Sequence, residues 1–190
     1  MDTALPAKEI TRFLLPRPRL FQALDVATKE QAKLLRPQLE AYVRQLMPYR
    51  DLPGLNVDEG QLLLGRLLEQ EEDWKGAAAV YADIMAQPYK PAESARAGLR
   101  RGLCLAKLDL PEEAAPLLVT DGLGDEDDLD LVSEVYFSRG AVFQKLGRHE
   151  DALLSLQTAY FTALSASYDR LALAAATELV ELSGVHLMLA

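Results

Sequence analysis

Three glycines, Gly65, Gly102 and Gly140, each interrupt an apolar helical run, and they stand 37 and 38 residues apart. Twelve residues after each comes an alanine, Ala77, Ala114 and Ala152, and four further on a large apolar side chain: Tyr81, Leu118 and Leu156. A period of this size describes a helix–turn–helix unit that cannot bury its apolar face alone and must stack on its neighbours. Gly and Ala let two helices approach closely, while the bulky residues fill the space between pairs. Such stacks present binding surfaces more often than reaction centres.

The units are legible along the chain. The first begins near Asp58, with Leu62, Leu63, Leu64, Leu67 and Leu68, and breaks at Glu71-Glu72-Asp73. Its second helix runs from Trp74 to Ile84 and ends before Pro88 and Pro91. The second unit spans about 91–120, with Pro111 at a first helical position that tolerates a missing N–H. The third carries Tyr136, Phe137, Val142 and Phe143, then Gly147 at a left-handed helix end, then Ala152 to Tyr160. A final amphipathic helix, about 169–182, stops at Ser183-Gly184. Residues 1–55 lie outside the period and read as an N-terminal helical extension, with Pro37 starting a helix through Leu39, Tyr42, Val43 and Leu46. The expected organisation is therefore an extension at 1–55 and a repeat domain at 56–190.

These residues resemble the tetratricopeptide repeat (TPR) over about 58–184. Tyr136, Gly140, Phe143, Ala152, Leu156 and Ala159 form the best copy. Leu64-Gly65, Leu68, Ala77 and Tyr81 match in the first unit, and Gly102, Leu105, Ala114 and Leu118 in the second. Arg101 and Arg139 replace the usual leucine before glycine, Asp121 replaces a small residue, and Thr177 stands where the last helix should have glycine. The resemblance implies an all-α, right-handed superhelix of about three helix pairs with a C-terminal capping helix. It also implies a groove lined by the first helix of each pair. Its lining would be Leu62, Arg66 and Gln70, then Arg96, Leu99, Arg100, Leu103 and Lys107, then Phe137, Gln144 and Lys145.

Charge gives that groove a candidate ligand. The net charge is −9, but residues 1–50 hold nine Lys/Arg against five Asp/Glu, so the remainder is strongly acidic. An acidic body argues against nucleic acid, which needs clustered positive charge. Arg66, Arg96, Arg100, Lys107 and Lys145 stand out against it as a basic patch for an acidic peptide or carboxylate.

Catalytic and metal chemistries find no support. His149 and His186 have no ligand spacing with each other or with Cys104, the lone cysteine. The acidic stretch 121–130 places Asp125 and Asp127 at calcium-loop positions one and three. It then puts Leu129 at five and Asp130 at six, where glycine is required. No phosphate loop or nucleophile elbow occurs, so no cofactor is expected. With no apolar run long enough for a membrane span and no secretory leader visible, the expected location is cytoplasmic. The leading expectation is a non-enzymatic scaffold or adaptor that binds a peptide or protein segment. The alternatives are a dedicated chaperone, forming a homodimer through the N-terminal extension, and a regulatory TPR domain cut from a larger signalling or transcription protein.

Overall fold

The computed structural model describes residues 29–49, 57–86, 91–120 and 129–189, all of whose regular structure is helical. The chain divides into two compact units, Met1–Asp73 and Trp74–Ala190. Within the first of these, the last helix of the N-terminal stretch and the first repeat helix pack on each other. Residues 1–28 and most of the acidic stretch, 121–128, lie outside the described residues. The expected dimer contact through the extension falls largely there.

In the first unit, α1 (Lys29–Leu46) packs on α2 (Val57–Gln70), with a 3-10 turn at Met47–Tyr49 after α1. Leu39, Val43 and Leu46 recur at helical spacing and are buried. Gly60 admits the close approach: a Cβ there would lie 3.3 Å from Val43 Cγ2. Pro37 does not start this helix but sits inside it, leaving one backbone carbonyl without its usual donor. Arg36 clamps α1 to the end of α2. It donates to Glu40 at 2.7 Å and Glu71 at 2.9 Å, and Asp73 lies 3.5 Å away. The bonds to Glu40 and Glu71 raise its pKa further above the ordinary arginine value.

The second unit contains α3 (Trp74–Met85), α4 (Pro91–Lys107), α5 (Pro111–Ala114), α6 (Leu129–Lys145), α7 (His149–Ser165) and α8 (Asp169–Leu189). α3 packs on α4, α4 on α5, α6 on α7 and α7 on α8, while α4 also touches α6. Two of the three repeated glycines do what the period implies, Gly102 and Gly140. A Cβ on Gly102 would stand 2.9 Å from Leu118 Cδ2, and one on Gly140 2.6 Å from Leu156 Cγ. In the second and third repeats the first helix thus rests its glycine on the bulky residue of its own partner.

Two helix lengths differ from expectation. The second repeat's partner helix is a single turn, because Pro116 lacks the N–H the next bond needs and crowds the carbonyl of Glu112. The last helix runs on through Gly184 to Leu189. Glycine permits a left-handed helix end without imposing one.

The turns repeat more faithfully than the helices. At the ends of α2, α4, α6 and α7 the same pair of backbone bonds recurs: Asp73 N–H to Leu68, Leu110 to Leu105, Arg148 to Phe143 and Tyr168 to Ala163, each with an inner bond from the residue before. This is the Schellman closure, with its C′ residue left-handed. That residue is Glu72 (φ 63°), Asp109 (60°), Gly147 (71°) and Ser167 (58°). Only one of them is glycine, so the others hold a conformation that costs L-residues roughly 1–2 kcal/mol. Ser167→Gly relieves that strain, less the entropy glycine gains when unfolded. We expect a net stabilisation of about 0.5–1 kcal/mol, read as a rise of roughly 1–3 °C in the melting temperature. A fall in melting temperature would show that the Ser167 side chain contributes more than its strain removes.

Candidate peptide-binding site

The core that supports the site joins α4, α5 and α6. Leu99 and Leu105 of α4 meet Ala114 and Leu118 beside α5 and Leu131, Val135 and Val142 of α6. Over this floor opens a pocket of about 120 Å³. Ala106 and Lys107 enter from the end of α4 and Pro111 from the start of α5, while Phe137, Ala141 and Lys145 recur every four residues along α6. Ser138 and Val142 complete the wall. The volume is well below that of drug-sized sites but comparable to a cavity that accepts benzene. It suits one aliphatic or aromatic side chain.

Two lysines flank this apolar opening. Lys107 is exposed and has no ion-pair partner among the described residues. Lys145 is half exposed and bonded to the Asp109 carboxylate, which comes from the left-handed turn after α4. Lys107, Phe137 and Lys145, expected in a groove from the repeat alone, are therefore brought together around one opening. Asp109, which occupies one of the two lysines, was not foreseen; it lies 36 residues away, in the preceding repeat.

The other expected lining residues fall elsewhere. Leu99 is 1% exposed and belongs to the core beneath the pocket, which corrects its reading as a ligand contact. In a stack, a first helix is covered on two sides, so its apolar stripe is wider than the part a ligand can reach. Leu103 is half-buried and packed against the same core. Gln144 is half-buried on α6 and Arg96 exposed on α4. Arg100 is mostly buried and lies 3.8 Å from Glu134 of α6, so part of its charge is answered within the unit. Glu134 also accepts the Tyr168 hydroxyl, whose pKa is raised first by burial and then by the nearby Glu134 and Asp130 carboxylates. Leu62, Arg66 and Gln70 share one face of α2, in the first compact unit. Arg66 is exposed there, and the other two are half-buried.

The arginine that replaces leucine before Gly140 also has a physical reason. The Arg139 guanidinium lies 5.2 Å and that of Arg148 4.3 Å from the centre of the buried Phe143 ring. A guanidinium over an aromatic face is attracted by the negative face of the ring. Cys104 is buried in α4 and His149 exposed at the start of α7. Among the described residues, no three His, Cys, Asp or Glu side chains are placed to hold a metal ion. No helix among them is long and apolar enough to cross a membrane.

No family model matches the chain, and no curated protein matches it. Among solved structures, the MamA RS-1 ArsTM double mutant superposes with a TM-score of 0.47 at 16% identity. That superposition covers 83% of this chain and 96% of the other.

Proposed function

We propose that this protein is a non-enzymatic interaction module whose second unit binds a peptide or protein segment of partly acidic character. The observation that carries the reading is the convergence of Phe137, Lys107 and Lys145 from successive first helices on one side-chain-sized apolar opening. A bulky apolar residue of the ligand fills the opening, and a neighbouring carboxylate meets the lysines. Apolar anchoring supplies affinity, while the rim charges set orientation and association rate.

Asp109 competes for the same lysine, and this gives the reading a test with a sign. Asp109→Asn removes the competing carboxylate and keeps a residue that accepts the left-handed turn. Peptides pairing an apolar residue with an adjacent acid, measured by calorimetry, should bind Asp109→Asn about three- to tenfold more tightly. They should bind Phe137→Ala at least tenfold more weakly, equivalent to about 1.4 kcal/mol. Equal affinity for all three proteins would sink the proposed site.

A further inference from the structure

The last helix repeats the first-helix pattern but leaves open the face that its predecessors cover. Gly102 and Gly140 each turn that face toward the second helix of their own pair, where Leu118 and Leu156 press against them. Thirty-seven residues beyond Gly140 stands Thr177, and in α8 it is exposed. Leu173 and Val180, one turn to either side, are 71% and 73% exposed. Leu173, Thr177, Val180 and Gly184 follow helical spacing, and none is charged. The Thr177 hydroxyl donates to the Leu173 carbonyl at 3.0 Å, so its polar group is satisfied within the helix. The stripe is the surface a partner helix covers elsewhere in this fold.

The charges at its two ends identify the occupant. Arg170 stands at the start of the stripe and Glu181 near its end, both exposed. We propose that this face of α8 pairs with the same face of a second copy of the chain, antiparallel about a two-fold axis beside Thr177. With Leu173 set opposite Val180 of the second copy, Arg170 stands within two residues, about 3 Å along the axis, of the opposing Glu181. The symmetry forms that pair twice, as a two-fold interface requires. Asp169, exposed on the other edge of the stripe, comes opposite Gly184 of the second copy. Antiparallel packing also reproduces the arrangement of α6 and α7, joined by the short turn 146–148. Threonine in place of glycine holds the two helices further apart than α6 and α7, so the contact is small and the dimer weak.

Sedimentation of the full chain should show reversible dimerisation in the range of about 10–100 µM, the class expected of a small interface. Leu173→Glu with Val180→Glu should leave a monomer of unchanged helicity. Arg170→Glu alone should weaken the dimer about two- to fivefold, and adding Glu181→Arg should restore it. Because Cys104 is buried, Thr177→Cys adds the single exposed thiol, and mild oxidation should link two chains through it. A native chain that stays monomeric throughout, a dimer that survives the two glutamates, or a charge exchange that restores nothing would overturn the proposal.

Discussion

Gly140→Val should lower the unfolding free energy by about 3 kcal/mol, at the upper end of what overpacking usually costs. The first added carbon would already stand 2.6 Å from Leu156 Cγ and 2.8 Å from its Cδ2, with the Ala152 carbonyl oxygen 3.5 Å away. Both helices are anchored: α6 also packs on α4 and α8, and α7 on α8, so neither can retreat without opening another contact. The origin of the loss is separable by a double-mutant cycle. Gly140→Ala and Leu156→Ala should each destabilise, the first by crowding and the second by leaving a cavity. Combined, the new methyl occupies space the leucine vacated. Urea unfolding should then show a loss smaller than the sum by about 1 kcal/mol or more. Strict additivity would mean that Gly140 is retained for something other than the Leu156 contact.

That contact was readable from the residues because it rests on absence: only a residue without Cβ allows the approach, and its recurrence made the pattern. Other features had no such signature. Glu72, Asp109 and Ser167 adopt the same left-handed turn as Gly147, yet none of the three announces it, because the backbone bonds rather than the side chain hold the conformation. The Ala114 and Leu118 matches set the period but not where α5 stops, which Pro116 decides by lacking the N–H the next bond needs. The groove was legible in part for a related reason. Helical spacing puts Phe137 and Lys145 on one face of α6 without showing that Lys145 is held by Asp109. Likewise it cannot separate Leu103 from Leu99, one turn apart, of which only Leu99 is fully buried. Burial on a stacked helix is decided by the neighbours on both sides, and an ion pair between repeats is decided by the turn that presents the acid.

The truncation of α5 concentrates its attachment in very few side chains, and this makes Leu118→Ala the second large effect. Leu118 is fully buried, and its Cδ2 and Cγ lie 2.9 and 3.1 Å from where a Cβ on Gly102 would be. With one helical turn in place of several, there is no second layer of contacts to take up the loss. The surrounding core, Leu99, Leu105, Val135 and Val142 among others, is tied to α4 and α6 and collapses poorly into the vacancy. A poorly collapsing Leu→Ala site costs about 4 kcal/mol. The exposed neighbour Val119, 38% accessible, should lose less than about 1 kcal/mol on the same change to alanine. The functional consequence follows from position: Pro111, at the start of α5, forms one wall of the pocket beside Lys107 and Phe137. Loosening α5 should therefore weaken the peptide affinity of the molecules that remain folded, by tenfold or more, about 1.4 kcal/mol. Urea titration supplies the stability, and calorimetry below the unfolding transition supplies the affinity. A destabilised Leu118→Ala protein that binds peptide as tightly as the native chain would show that α5 closes the core without shaping the pocket.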